Sequence, residues 1–212
     1  MREPSYKRKH KLRPVEPLPH IDGDFQVAAF DLSLTRPGFA LLQYHADTRS
    51  VDLLRKDIIP NKTHTKDKKR GQILNEIGML FTEYISPQIV KAVVREKSFV
   101  RFNAETAALY SVNGAVDMIL WNRKEMWFQE LPPLTVKKNI AGSGKASKEE
   151  LAEAIDNYCT HSNWRSDDES DAVGVGIAWL IINGYMDTIP LEKYREQFEK
   201  DQEKERRKEA GA

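Results

Sequence analysis

The stretch FQVAAFDLSLTRPGFALLQY, residues 25–44, decides the fold. Residues 25–30 and 39–44 are short apolar runs, and the segment between them is rich in Ser, Pro and Gly, the composition of a chain reversal. The pair therefore reads as two antiparallel strands, with Asp31 standing where the first one ends. Working outward, residues 51–59 supply a third strand. Ile73, Ile77, Leu80, Phe81 and Tyr84 recur at three- and four-residue steps, a helical face that Pro87 ends. Residues 92–94 form a short buried strand. Ala107, Ala108, Ser111, Ala115, Val116, Ile119 and Leu120 mark a second helix, whose small residues admit a close neighbour. Residues 127–131 form a further strand, stopped by Pro132 and Pro133. Ser147-Lys148-Glu149-Glu150 is a capping box opening a third helix with Leu151, Ala154, Ile155 and Tyr158 on one face. Residues 172–182 are apolar almost all round, which predicts a buried last core helix.

The resulting order, β-β-β-α-β-α-β-α-α, predicts an α/β fold. Its mixed sheet has three antiparallel strands and then two parallel ones, with helices on its faces. A ribonuclease H-like architecture satisfies that order. At 212 residues the chain reads as one domain, 23–188, between a disordered basic arm, 1–22, and a charged helical tail, 189–212. Lys plus Arg number 33 against 32 Asp plus Glu, a net +1, which excludes a supercharged coat protein and an acidic disordered chain. The charge is nevertheless unevenly placed. Residues 1–20 hold six bases and two acids, and residues 55–70 hold seven bases and two acids. Between Glu149 and Asp171 eight acids face one base, Arg165, whereas residues 191–212 balance seven against seven. In the tail, Glu196/Lys200 and Glu203/Arg207 have the i,i+4 spacing of a solvated helix. The single cysteine, Cys159, excludes an internal disulfide and fits a reducing, cytoplasmic setting. Neither a secretory signal nor a membrane-spanning apolar run is present.

Four acids stand where core elements begin or end: Asp31, Glu96, Asp168 and Asp171. Any one alone is as readily a turn or cap residue. Together they imply more, because Asp168 and Asp171 share a helical face, and two like charges about 4 Å apart repel by about 4 kcal/mol at an effective dielectric of 20. Such a cluster needs cations. Oxygen-only ligands suit Mg²⁺ or Mn²⁺, and paired hard cations are suited to in-line phosphodiester hydrolysis. The five histidines show no ligand spacing. Asp167 and Glu169 fall off the Asp168/Asp171 face and read as solvated.

Four blocks resemble the RuvC-type Holliday-junction resolvases, in particular the shorter-motif versions carried by bacteriophages. They are VAAFDLSLTRPGFALL with Asp31 and Gly38, VVREKSFVRFNAETAALYSVNGAV with Glu96, VKKNIAGSGKASKEEL with Lys137 and Lys148, and DDESDAVGVGIA with Asp168 and Asp171. Leu32 and Ser33 depart from the cellular Pro-Gly turn and sit closer to viral and fungal forms. The resemblance implies an endonuclease that resolves four-way junctions, with two Mg²⁺ per site held by Asp31, Glu96, Asp168 and Asp171. Mn²⁺ would substitute, and 5′-phosphate and 3′-hydroxyl ends would result. It further implies a homodimer through the helix of residues 104–120, no membrane partner and no nucleotide cofactor. Phe99 stands at the family's junction-contacting phenylalanine, and with Phe102 it brackets Arg101, so stacking on exposed bases competes with packing under the loop. Lys137 and Lys148 match the family's backbone-contacting lysines, and Lys145 sits in a Gly-Ser loop before a helix N-terminus, a place for a phosphate. Three rivals remain: a broader flap or fork nuclease, a junction binder that does not cut, and an actin-like ATPase, for which about 160 core residues leave no room.

Overall fold

The computed structural model describes residues 20–61, 68–97, 104–160, 164 and 166–210. Strands β1 (Phe25–Asp31), β2 (Gly38–His45) and β3 (Ser50–Ile58) are followed by α1 (Arg70–Ile85), β4 (Val90–Glu96), α2 (Ala104–Lys124) and β5 (Gln129–Leu131). Helices α3 (Pro133–Ala141), α4 (Lys148–Ile155), α5 (Asp167–Ile182) and α6 (Glu192–Ala210) complete the chain. The sheet runs β3-β2-β1-β4-β5. β1 pairs antiparallel with β2 and parallel with β4, and β4 pairs parallel with β5, so the mixed sheet expected from the sequence is the one formed.

β1 is apolar from Val27 to Phe30 because both its faces are covered there. Its odd residues Phe25, Val27 and Ala29 pack with α3, α4 and α5. Its even residues Ala28 and Phe30 pack with α1 and α2. This alternation places everything that follows. Asp31 continues the odd set toward α5. On β4, Ala92 and Val94 belong to the α5 side and Val93 to the other, so Glu96 falls on the α5 side and Arg95 opposite. α5 lies close enough that a Cβ on Gly176 would stand 2.4 Å from Leu42 and 3.0 Å from Ala29.

Three expectations are corrected. A helix, α3, begins at Pro133, read only as a strand stop, and runs through residues given no element: Pro133 takes its first turn, where a missing N–H costs nothing, and Val136, Ile140 and Ala141 are buried. Trp127 is outside β5, largely exposed and stacked on Trp121 at 4.5 Å between ring centres. The tail is not merely solvated. Both expected i,i+4 pairs form, Glu196 with Lys200 and Glu203 with Arg207, yet the start of α6 docks on α4. Glu150, which closes the α4 capping box by accepting the Ser147 N–H at 2.8 Å, also accepts the Tyr194 hydroxyl at 2.6 Å and the Lys193 ammonium. Lys193 first, then Tyr194, hold the Glu150 carboxyl down at about 2. Leu191 N–H donates to the Ala141 carbonyl at 3.0 Å.

Candidate active site

Asp31 and Glu96 end adjacent parallel strands, in the register that pairs Phe30 with Arg95. Asp168 and Asp171 lie on the first turns of α5. Gly38, opposite Asp31 in the β1–β2 ladder, lets these elements meet: a Cβ there would fall 2.1 Å from the Asp168 carbonyl oxygen. All four expected acids therefore converge at one edge of the sheet, and their protonation records it. Burial, then Glu96, Asp171 and Asp168, push the Asp31 carboxyl up to about 8. Burial and then Asp171 raise Glu96 to about 7. Burial also raises Asp171. At neutral pH the cluster thus resists full ionisation.

Two cationic side chains already offset it. Lys148, at the first position of α4, places Nζ 2.7 Å from Asp171 Oδ2. Arg36, in the β1–β2 turn, places Nε 3.5 Å from Asp168 Oδ2. Lys137 donates to the Ala146 carbonyl at 2.6 Å, and its charge reaches Glu96. Lys145 is exposed and lines an open cleft with Tyr194, Gln197 and Asp201 of α6. Phe99 and Arg101 lie outside the described residues. As it stands, no group of three or more His, Cys, Asp or Glu among the described residues is arranged to hold a metal ion. The donor chemistry nonetheless fits hard cations: the cluster is all oxygen, half-buried and self-repelling, and an ammonium neutralises it in part.

Glu169 is corrected outright. It is fully buried and paired with Lys56 of β3 at 3.2 Å, with the Lys56 ammonium also 4.3 Å above the Trp164 ring. Lys56 stands opposite Ala40 in the β2–β3 ladder and so shares its α5-facing side. The pair fixes the turn of α5 that carries Asp168 and Asp171. Arg95 does the corresponding work behind Glu96: it reaches Glu130 of β5 at 2.7 Å and Asp117 of α2 at 2.8 Å, and lies 4.3 Å over Phe128. Arg36, Lys56, Glu169 and Arg95 were all missed as site residues. Strand parity relative to Asp31 and Glu96 is the signal that finds Lys56 and Arg95.

A ribonuclease H-like sheet with carboxylates from β1, β4 and α5 at one edge defines a nuclease of that structural class. The family description "Crossover junction endodeoxyribonuclease RuvC" matches residues 27–179. A protein of that name from Prochlorococcus marinus strain MIT 9312 is 29% identical over 161 residues, 76% of this chain and 99% of the relative. One from Rickettsia prowazekii is 29% identical over 125 residues, 58% of this chain and 79% of the relative. Among solved structures, Thermus thermophilus RuvC superposes with a TM-score of 0.64 at 19% identity, covering 78% of this chain and all of that one. The T. thermophilus protein in complex with a Holliday junction substrate gives 0.63 at 20% identity, over 73% of this chain and 92% of that one. These likenesses establish the shared fold. The chain belongs to the RuvC family of metal-dependent crossover junction endodeoxyribonucleases.

Proposed function

We propose that this chain resolves four-way DNA junctions by hydrolysing phosphodiester bonds at the Asp31, Glu96, Asp168 and Asp171 cluster. The observation that carries the reading is that cluster, delivered by three elements to one sheet edge, with two carboxyls pushed up to about 8 and 7. The set suits two Mg²⁺ ions, with Mn²⁺ substituting; when bound, such ions activate water and stabilise the departing oxygen. This chain's own residues do the remaining work. Asp31, on the central strand and facing both Glu96 and the α5 acids, would hold the ions together with those three carboxylates. Lys148 compensates Asp171, and Lys137 and Lys145 offer charge to the DNA backbone. Phe99 would stack on exposed junction bases and Arg101 would contact the DNA, on the strength of the second sequence block. Cleavage leaves 5′-phosphate and 3′-hydroxyl ends.

The working unit is a homodimer through α2, where Tyr110, Met118 and Trp121 are exposed and Met118 shares a groove with Met79 of α1. The chain divides into an arm, 1–22, a nuclease domain, 23–188, and a tail, 189–212. It acts in the cytoplasm, in keeping with its free, buried Cys159. No described helix is long and apolar enough to cross a membrane.

Cleavage mapping on synthetic four-way junction, fork, flap and duplex DNA tests the reading, with Asp31→Asn alongside. Symmetric paired nicks on the junction, absent from Asp31→Asn while junction binding persists, are expected. Wild-type nicking by Asp31→Asn removes that residue from the mechanism. Equal cutting of flaps moves the reading to a general branched-DNA nuclease, and no product with either metal leaves a junction binder.

A further inference from the structure

We propose that Arg36 is a phosphate-binding residue of this site, its guanidinium passing from Asp168 to a non-bridging oxygen of the DNA backbone when a cation takes Asp168. The inference rests on the reading of the four acids as a nuclease centre. Its support is the way the turn carrying Arg36 is held. The Arg36 backbone N–H donates to Ser33 Oγ at 2.9 Å, the Asn61 side chain donates to the Leu34 carbonyl at 3.3 Å, and Ile59 N–H donates to the Pro37 carbonyl at 3.3 Å. Gly38 then closes on the Asp168 carbonyl. The turn is thus braced from within, from the segment after β3 and from α5, and Ser33, the departure from the family's usual turn, supplies the internal brace.

On this support the Arg36 side chain is 42% exposed while its Nε is sealed from solvent. The Asp168 oxygen, 3.5 Å away, is too distant for a hydrogen bond to that Nε. A partly exposed ion pair of that length contributes little to stability, so a purely structural role does not account for a turn braced three ways. A guanidinium offers five donors in a planar fork matched to phosphate oxygens. Held at the rim of a cluster that attracts cations, it supplies the one contact the carboxylates cannot make, an attraction for the substrate's own negative charge. The same placement makes it a competitor for Asp168 in the DNA-free protein.

The test compares Arg36→Gln and Arg36→Lys with wild type in three measurements: junction affinity in Ca²⁺ by fluorescence anisotropy, cleavage kcat and KM at saturating Mg²⁺, and Mg²⁺ binding to DNA-free protein by calorimetry. For Arg36→Gln the expectation is about tenfold weaker junction binding and about 100-fold lower kcat. Mg²⁺ should bind about two- to fivefold more tightly. Arg36→Lys should regain junction affinity but little of kcat, since an ammonium lacks the fork. Wild-type affinity and kcat in Arg36→Gln, with an unchanged melting temperature, overturn the proposal, as does unchanged or weaker Mg²⁺ binding. If the wild type cuts nothing in Mg²⁺ or Mn²⁺, the nuclease reading fails, and Arg36 is then judged on junction affinity and Mg²⁺ calorimetry alone.

Discussion

Asp31→Asn should make the metal-free protein more stable while it abolishes cleavage. In the folded chain the Asp31 carboxyl sits at about 8, against an ordinary value of 3.8. Between those values the folded state holds a proton that the unfolded chain has released, so stability falls as pH rises from one to the other. At about 1.4 kcal/mol per pH unit, the gap bounds the cost near pH 7.5 at about 5 kcal/mol. Glu96, Asp168 and Asp171 share that repulsion and adjust when one charge is removed, so about 1–3 kcal/mol is expected. In a chain of this length each kcal/mol moves Tm by about 2–4 °C, so the variant should melt about 3–10 °C higher near pH 7.5 in chelator. The difference should shrink to a few tenths of a kcal/mol near pH 4, close to the ordinary value of 3.8 at which the unfolded chain takes up its own proton. Mg²⁺ should raise the wild-type Tm and the variant's much less. Circular-dichroism melts over that pH range, with and without Mg²⁺, decide the matter. A variant no more stable than wild type near pH 7.5, or equally stabilised near pH 4, would show that Asp31 does not bear the cluster's repulsion.

Other perturbations probe the supports. Glu169→Gln or Lys56→Met alone should cost about 3–5 kcal/mol by stranding a buried charge, whereas Lys56→Met with Glu169→Leu should recover most of it. Additive losses in a urea-denaturation cycle would refute the coupling. Gly38→Ala must move the start of α5, since its Cβ would stand 2.1 Å from the Asp168 carbonyl oxygen. About 1–3 kcal/mol of stability and nearly all cleavage should be lost, and wild-type turnover would show that the turn and α5 are not locked. Cys159, whose thiol burial pushes up to about 11, should react with a thiol reagent near pH 8 at least about 100-fold more slowly in the native protein than in urea.

The β1–β2 pair and the buried α5 were legible because each obeys one rule: a short apolar run between turn residues, and an apolar run with no polar side. The four acids were legible for the same reason, since each interrupts or ends such a run. Glu169 was misread because the helical-face argument assumes that a helix has a solvent side, and α5, enclosed by the sheet, α3 and α4, has none from Glu169 to Leu180, although Asp167 just before it is exposed as expected. Polar there meant paired. Pro132-Pro133 was read as an end when Pro133 is also a beginning, and nine residues with Val136 and Ile140 as the periodic signal are too few to outweigh a double proline. Arg36 had no signature, because its place depends on Ser33, Asn61 and Asp168 meeting around it.

Glu150 has a consequence for how the molecule can be shortened. The family match stops at residue 179, which makes residues 189–212 look dispensable. Yet the Lys193 and Tyr194 side chains end on the same carboxylate that closes the first turn of α4, two residues from Lys148, whose ammonium rests on Asp171. A chain cut back to the family boundary would keep every proposed ligand and release the far end of that relay. In this protein the C-terminal extension is a remote abutment for the catalytic edge, so sequence drift along the tail is most constrained at its first turn, with the Lys138–Glu205 pair a second hold farther along α6.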